Sequence, residues 1–159
     1  MAIPNFATAC ECDELKARAE ALVEGFDPET ISVFSTTSQE KTTNQYFLDS
    51  AGNISFFFEE GAFNADGTLV HAKARSINKC GHALHDLDPA FRAFSRSDRM
   101  ASVFQSLGFS RPLPVQSMYI FKQPQIGGPV VPHQDRCALP PCSGSCLFFL
   151  GILSAVEFG

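Results

Sequence analysis

The sequence predicts a mixed α+β fold in which helices and a β-sheet share one core. Residues 13–24 and 98–107 place apolar side chains at the three- and four-residue spacing of an amphipathic helix. Residues 112–121 return to a period of two, which is typical of a strand. With 159 residues and 45% apolar content, the chain can bury one core but leaves little room for two full domains.

The charge balance argues against one class of partner. Acidic residues outnumber basic ones by 17 to 12, and Lys and Arg form no cluster. Since binding a phosphate backbone requires a basic patch, we expect no nucleic-acid partner. The longest apolar run, residues 146–153, is too short to span a membrane, and the N-terminus lacks a signal pattern. We therefore expect a cytoplasmic protein whose cysteines are reduced, with a peroxisomal location as the alternative.

The first predicted helix covers residues 13–24. Asp13 is the expected N-cap and Gly25 the expected stop. Pro28 has the position of a second helix start, but the β-branched residues after it leave residues 28–45 without an assignment. The apolar face of the first helix consists of Leu15, Ala19, Leu22 and Val23.

A small β-meander is predicted for residues 46–70. Two turn clusters there separate short aromatic and β-branched runs. Among these runs, Phe56, Phe57 and Phe58 are expected to form a strand that is buried on both faces. Glu59 is expected to lie at a solvated strand end.

Two helical segments and a long strand follow. Leu84 and Leu87 predict one helical face, and Asp88-Pro89 predicts a restart. Ser97 is the expected N-cap of the helix over residues 98–107. The strand over residues 112–121 directs one set of side chains to each face: Val115, Ser117, Tyr119 and Phe121 to the first, and Gln116, Met118 and Ile120 to the second.

The pattern His133-Gln134-Asp135 carries the strongest chemical signal. Residues at i and i+2 of a strand point to the same face, so His133 and Asp135 can bind one metal ion. With one more histidine they would form the facial triad of an Fe(II) oxygenase. The pair alone is weak evidence, because the two side chains can equally hydrogen-bond each other in a metal-free binding module.

Two long segments supply the context for that pair. Residues 76–91 (SINKCGHALHDLDPAF) and 115–135 (VQSMYIFKQPQIGGPVVPHQD) resemble the phytanoyl-CoA dioxygenase superfamily. The resemblance implies N-terminal helices followed by a double-stranded β-helix of the jelly-roll or cupin type. It also implies an oxygenase that uses Fe(II), 2-oxoglutarate and O₂ to hydroxylate a small-molecule substrate.

The resemblance also implies which residues form the site. His133 and Asp135 match two iron ligands of the family. Lys79, Met118 and Gln134 match positions beside 2-oxoglutarate. These roles suit the side chains, because Lys79 supplies a cation for a dicarboxylate and Met118 can pack against its carbon chain.

The resemblance ends after Asp135, so we expect a family domain at 1–136 and a divergent tail at 137–159. The family pattern continues with a second iron histidine and an arginine for 2-oxoglutarate, but the tail contains neither residue. An incomplete β-helix would expose a sheet edge. The alternative function is therefore a non-catalytic, truncated isoform that binds a partner through that edge.

His82 and His85 are the remaining candidates for a metal site. Their spacing would let two helical histidines share one ion. The resemblance gives neither of them to iron, and we expect each to be hydrogen-bonded within the protein or to lie on its surface.

Overall fold

The computed structural model describes residues 3–27, 33 and 45–127. Within these ranges, helices surround a three-stranded antiparallel sheet of order β1-β2-β3, which confirms the mixed α+β class. No helix in them is long and apolar enough to cross a bilayer. The strands are β1 (Ile54–Phe58), β2 (Ile77–His82) and β3 (Ser117–Ile120). The helices are α1 (Ala9–Gly25), α2 (Gln45–Asp49), α3 (Lys73–Ser76), α4 (Leu84–Leu87), α5 (Pro89–Ser95) and α6 (Asp98–Ser106), with a 3₁₀ turn at Ser50–Gly52.

The main core lies between one face of the sheet and the helices α1, α4 and α5. Phe56, Cys80 and Tyr119 are paired across the three strands and share this face. Burial raises the pKa of the Cys80 thiol to about 12, so this cysteine is an inert core residue. The core consists of Leu15, Ala19, Val23, Phe56, Phe58, Ala62, Ile77, Cys80, Leu84, Phe91 and Phe121.

Helix α1 buries the predicted face but begins earlier than predicted. Thr8, not Asp13, is the N-cap, because Thr8 and Glu11 form a capping box. The Glu11 amide donates to Thr8 Oγ1 at 3.2 Å, and the Thr8 amide donates to Glu11 Oε2 at 2.8 Å. At the other end, the Lys73 ammonium donates to the carbonyl of Glu24 at 3.0 Å and so caps the helix.

The predicted meander at residues 46–70 is wrong in part. Only β1 is a strand, and Phe63 pairs with Leu69 through a single bridge. The segment before β1 forms α2, which is supported by a 2.7 Å hydrogen bond between Gln45 and Asp49 one turn apart. The buried aromatic strand is confirmed, since Phe56, Phe57 and Phe58 are all buried.

Glu59 differs from its predicted solvated position. The residue is buried, and its carboxylate accepts a 2.9 Å hydrogen bond from the side-chain amide of Asn78. The carboxylate also lies against Gly127, where a Cβ would meet Glu59 Oε2 at 3.0 Å. Glu59 therefore holds the chain at Gly127, where the described residues end.

After residue 70, the structure contains one strand, β2, that the sequence pattern did not predict. Five of the six residues of β2 are buried, and a strand buried on both faces shows no alternation. The predicted strand over residues 112–121 shortens to β3, because Pro112 and Pro114 have no N–H for the ladder. The Ser97 cap is confirmed by its 3.3 Å hydrogen bond from the Met100 amide.

Asp88 joins two helices and gives the first test of the fold. Its buried carboxylate accepts from the amides of Ala90 and Phe91 and lies 2.6 Å from Arg18 Nε on α1. Asp88→Ala should lower the free energy of unfolding by about 1–3 kcal/mol, because two helix amides and a guanidinium lose their acceptor. Urea unfolding measures this loss.

A matched variant is Asp13→Ala, which removes an exposed ion pair of 2.7 Å with Lys16. It should cost less than about 0.5 kcal/mol. Equal effects of the two substitutions would mean that Asp88 does not join α1 to α5 in solution.

Candidate functional site

The candidate site lies on the sheet face opposite the main core. Phe57, Lys79 and Ile120 are paired across the strands, and the next pair joins Gly81 to Met118. Because side chains two apart share a face, Lys79 and Met118 lie on this face as diagonal neighbours. We call the face that carries Phe57, Lys79, Met118 and Ile120 the Lys79 face. It brings together two residues to which the resemblance gives contacts with 2-oxoglutarate.

Helix α2 covers half of the Lys79 face. The rings of Tyr46 and Phe47 lie 5.4 and 5.8 Å from the Phe57 ring, which is only 1% exposed. On the β3 side, Met118 and Ile120 are 40% and 41% exposed. Lys79 is on the central strand and therefore lies at the boundary between the half that α2 covers and the half that no other described element covers.

The Lys79 ammonium is buried in an aromatic environment. The residue is 4% exposed, and its Nζ lies 5.5 and 5.2 Å from the ring centroids of Phe47 and Phe57. Burial lowers the pKa of Lys79 to about 8, so the side chain remains mainly charged at pH 7. A cation in so little water gains more from an anionic ligand than an exposed lysine does.

Gly81 allows β3 to approach β2 at this position. A Cβ on Gly81 would lie 2.9 Å from the Met118 Cβ and 3.0 Å from the Ser117 carbonyl oxygen. A side chain there would force the two strands apart. The absence of a Cβ therefore keeps Met118 close to Lys79.

Two buried histidines follow Lys79, and each has its own serine partner. His82 Nδ1 lies 2.7 Å from Ser50 Oγ, and His85 Nδ1 lies 2.7 Å from Ser117 Oγ. They belong to different elements, the end of β2 and helix α4, so the helical spacing that could let them share a metal ion is not present. The expectation that each is hydrogen-bonded within the protein is confirmed.

His82 is the polar group near Lys79 that sequence reasoning did not select. Its ring centroid lies 5.2 Å from that of Phe47 and 5.6 Å from that of Phe57. Burial, and after it the charge of Lys79, lower the pKa of His82 to about 4, so the imidazole is neutral at pH 7. The sequence offers His82 only as a metal-site candidate, because its contacts come from α2 and the 3₁₀ turn.

The predicted iron ligands lie outside the described residues. His133, Gln134 and Asp135 come six to eight positions after Gly127, where the described chain ends. Within residues 3–27, 33 and 45–127, no group of three His, Cys, Asp or Glu side chains could hold a metal ion. The metal-binding roles of His133 and Asp135, and the contact of Gln134 with 2-oxoglutarate, therefore stay predictions.

Comparison with known proteins gives a consistent family. The family model for phytanoyl-CoA dioxygenase (PhyH) matches residues 1–153. The phytanoyl-CoA dioxygenase of Arabidopsis thaliana is 50% identical over 146 residues, which cover 92% of this chain and 52% of that protein. Phytanoyl-CoA dioxygenase 1 of Oryza sativa subsp. japonica is 51% identical over 148 residues, which cover 91% of this chain and 52% of the rice protein. Phytanoyl-CoA dioxygenase domain-containing protein 1 of Bos taurus is 43% identical over 145 residues, which cover 87% of this chain and 50% of the bovine one.

A family match over nearly the whole chain, together with these identities, defines the class of protein. The chain belongs to the phytanoyl-CoA dioxygenase family. The resemblance read from residues 76–91 and 115–135 is thereby confirmed. The chain spans about half the length of the curated relatives that it matches. The predicted boundary between a domain at 1–136 and a tail at 137–159 stays a prediction.

Gly81→Ala tests the close approach of β2 and β3. The new methyl group would overlap Met118 Cβ, so the free energy of unfolding should fall by about 1–3 kcal/mol. Chemical denaturation measures the change. Gly25→Ala is the control, because no heavy atom lies within 4 Å of the Cβ that it would add at the end of α1. A Gly81→Ala protein as stable as the control would show that β3 does not lie this close to β2.

Proposed function

We propose that this chain contributes the iron and co-substrate site of an Fe(II)- and 2-oxoglutarate-dependent dioxygenase. The observation that carries the proposal is the buried Lys79 ammonium, which shares a sheet face with Met118. The relatives named phytanoyl-CoA dioxygenase support a dioxygenase reaction. The prime substrate is a small molecule that the described residues do not identify.

The Lys79 face has the properties that a 2-oxoglutarate site requires. The ammonium can pair with a carboxylate, and the low water content around it strengthens that charge-assisted contact. Met118 is 40% exposed beside it and offers an apolar surface for the methylene groups of the ligand. On the other side, Phe47 of α2 packs against Phe57 of β1 and excludes water. The donor set therefore fits a short dicarboxylate.

His133 and Asp135 would hold the iron ion in this proposal, and Gln134 would contact the co-substrate beside it. Bound iron would supply the activation of O₂ that the oxidation of a C–H bond requires. The remaining work belongs to the chain: Lys79 binds and orients the co-substrate, and the aromatic residues of α2 keep water away. We further propose that the three antiparallel strands are part of a double-stranded β-helix.

Anaerobic titration of the purified chain with Fe(II) and 2-oxoglutarate tests the proposed function. A saturable visible charge-transfer band should appear, because the keto acid would chelate an iron ion that the chain holds. His133→Ala and Asp135→Ala should each abolish the band. His71→Ala is the matched control, since His71 has no proposed role, and it should keep the band. A folded chain that binds the two ligands without producing a band would refute the proposal.

Lys79→Met tests the balance between stability and binding at the site. Burial lowers the pKa of Lys79 from 10.5 to about 8, and this shift means that the buried charge lowers the free energy of unfolding. The substitution should raise the free energy of unfolding at pH 7 by on the order of 2–3 kcal/mol while weakening the charge-transfer band. Denaturation at several pH values, together with the iron titration, measures both effects.

The sign of the pH dependence follows from the two pKa values of Lys79. Between pH 8 and 10.5 the folded chain releases the proton while the unfolded chain keeps it, so the wild-type protein gains stability as the pH rises. The advantage of Lys79→Met should therefore be full below about pH 8 and vanish near pH 10.5. Lys122→Met, at an exposed lysine just after β3, should show no such trend. A stability gain that does not depend on pH would contradict a buried charge at Lys79.

A second candidate function is a non-catalytic fragment that binds a partner through the β3 edge. One observation favours it: among the described strands, β3 is an outer strand, and Leu113 and Val115 before it are 74% and 78% exposed. The iron titration separates the two candidates. A folded, iron-free chain that gives no band but pairs with a full-length family member would favour the binding fragment.

A further inference from the structure

His82 presents a buried nitrogen that the proposed site does not use. The residue is 3% exposed, and its Nε2 has no hydrogen-bond partner among the described residues. An unpaired acceptor of this kind costs about 1–3 kcal/mol, and native proteins leave few of them. The position of His82 near Lys79 therefore needs an explanation.

The Ser50 hydroxyl determines which ring nitrogen of His82 carries the proton. Ser50 Oγ donates its single hydrogen to the carbonyl oxygen of Phe47 at 2.5 Å. The same oxygen lies 2.7 Å from His82 Nδ1 and can then only accept a hydrogen bond from it. This assignment places the proton on Nδ1 and leaves Nε2 with a lone pair. The unpaired nitrogen is thus a hydrogen-bond acceptor.

Lys79 provides a donor for that acceptor. The Lys79 Nζ and the His82 ring both lie between 5.2 and 5.6 Å from the ring centroids of Phe47 and Phe57. An ammonium has three N–H donors, so one of them can serve His82. A neutral imidazole accepts from a cation without adding a charge to the pocket.

We propose that His82 is a positioning residue for Lys79: its Nε2 accepts a hydrogen bond from the Lys79 ammonium through one water molecule, and this bridge orients the ammonium toward an anionic ligand. Ser50 supports this role by holding the proton on Nδ1. The identity of the ligand as a short dicarboxylate rests on the proposed function, whereas the contact between the two side chains does not.

NMR of the ligand-free chain tests the contact directly. Two-bond ¹⁵N–¹H correlations should show the Nδ1–H tautomer of His82. The ε-methylene resonances of Lys79 report its pKa. Because an acceptor stabilises the charged amine, His82→Phe should lower this pKa. His82→Gln should leave the pKa close to its wild-type value. Ser50→Ala, which leaves the ring in place, should weaken the preference for one tautomer and lower the same pKa to a smaller extent.

His85→Phe is the matched control. His85 has the same 3% exposure and the same 2.7 Å contact with a serine, but its partner is Ser117 on β3. This variant should leave the pKa of Lys79 unchanged. An Nε2–H tautomer, or a Lys79 pKa that is the same in the wild type and in His82→Phe, would overturn the proposed contact.

Titration with 2-oxoglutarate separates this inference from the proposed function. In the wild type, 2-oxoglutarate should shift the Lys79 ε-methylene resonances, and His82→Phe should weaken that binding roughly tenfold. No shift in the wild type, together with the expected tautomer and pKa changes, would refute the co-substrate role of Lys79 and leave the His82 contact standing. A wild-type shift that His82→Phe leaves at the same affinity would refute the positioning role of His82 alone.

Discussion

The burial of one charge, the Lys79 ammonium, constrains the rest of the described structure. Lys79 is buried on the central strand of the sheet, and this burial lowers the pKa of its ammonium to about 8. The rings of Phe47 and Phe57 offset part of the desolvation through cation–π contacts. A group that weakens the fold in this way is typical of a binding or catalytic site.

The scaffold around that charge consists of a sheet with two unlike faces. Helices α1, α4 and α5 cover one face, and the core between them and the sheet stabilises the fold. Within the described part of the chain, the other face is covered only on the β1 side, which leaves the β3 side for a ligand to approach Lys79. Gly81 makes this arrangement compact, because the missing Cβ lets β3 bring Met118 beside the central strand.

Sequence reasoning predicted the elements whose side chains alternate between water and core. The buried face of α1 and the Ser97-capped helix are examples. It missed β2, since a strand buried on both faces has no periodicity. The role proposed for Lys79 came only from the family resemblance. His82 could be named only as a metal-site candidate, because its serine partner lies 32 residues away in the chain. Such contacts depend on tertiary packing that local patterns do not contain.

The most direct test of the account is whether a dicarboxylate binds at Lys79. Titrating the lysine-labelled chain with 2-oxoglutarate at pH 7, while following every lysine ε-methylene resonance by NMR, measures this. We expect a saturable shift that is largest at Lys79 and absent in Lys79→Met. A Lys79 resonance that stays fixed while an exposed lysine such as Lys122 responds would contradict it.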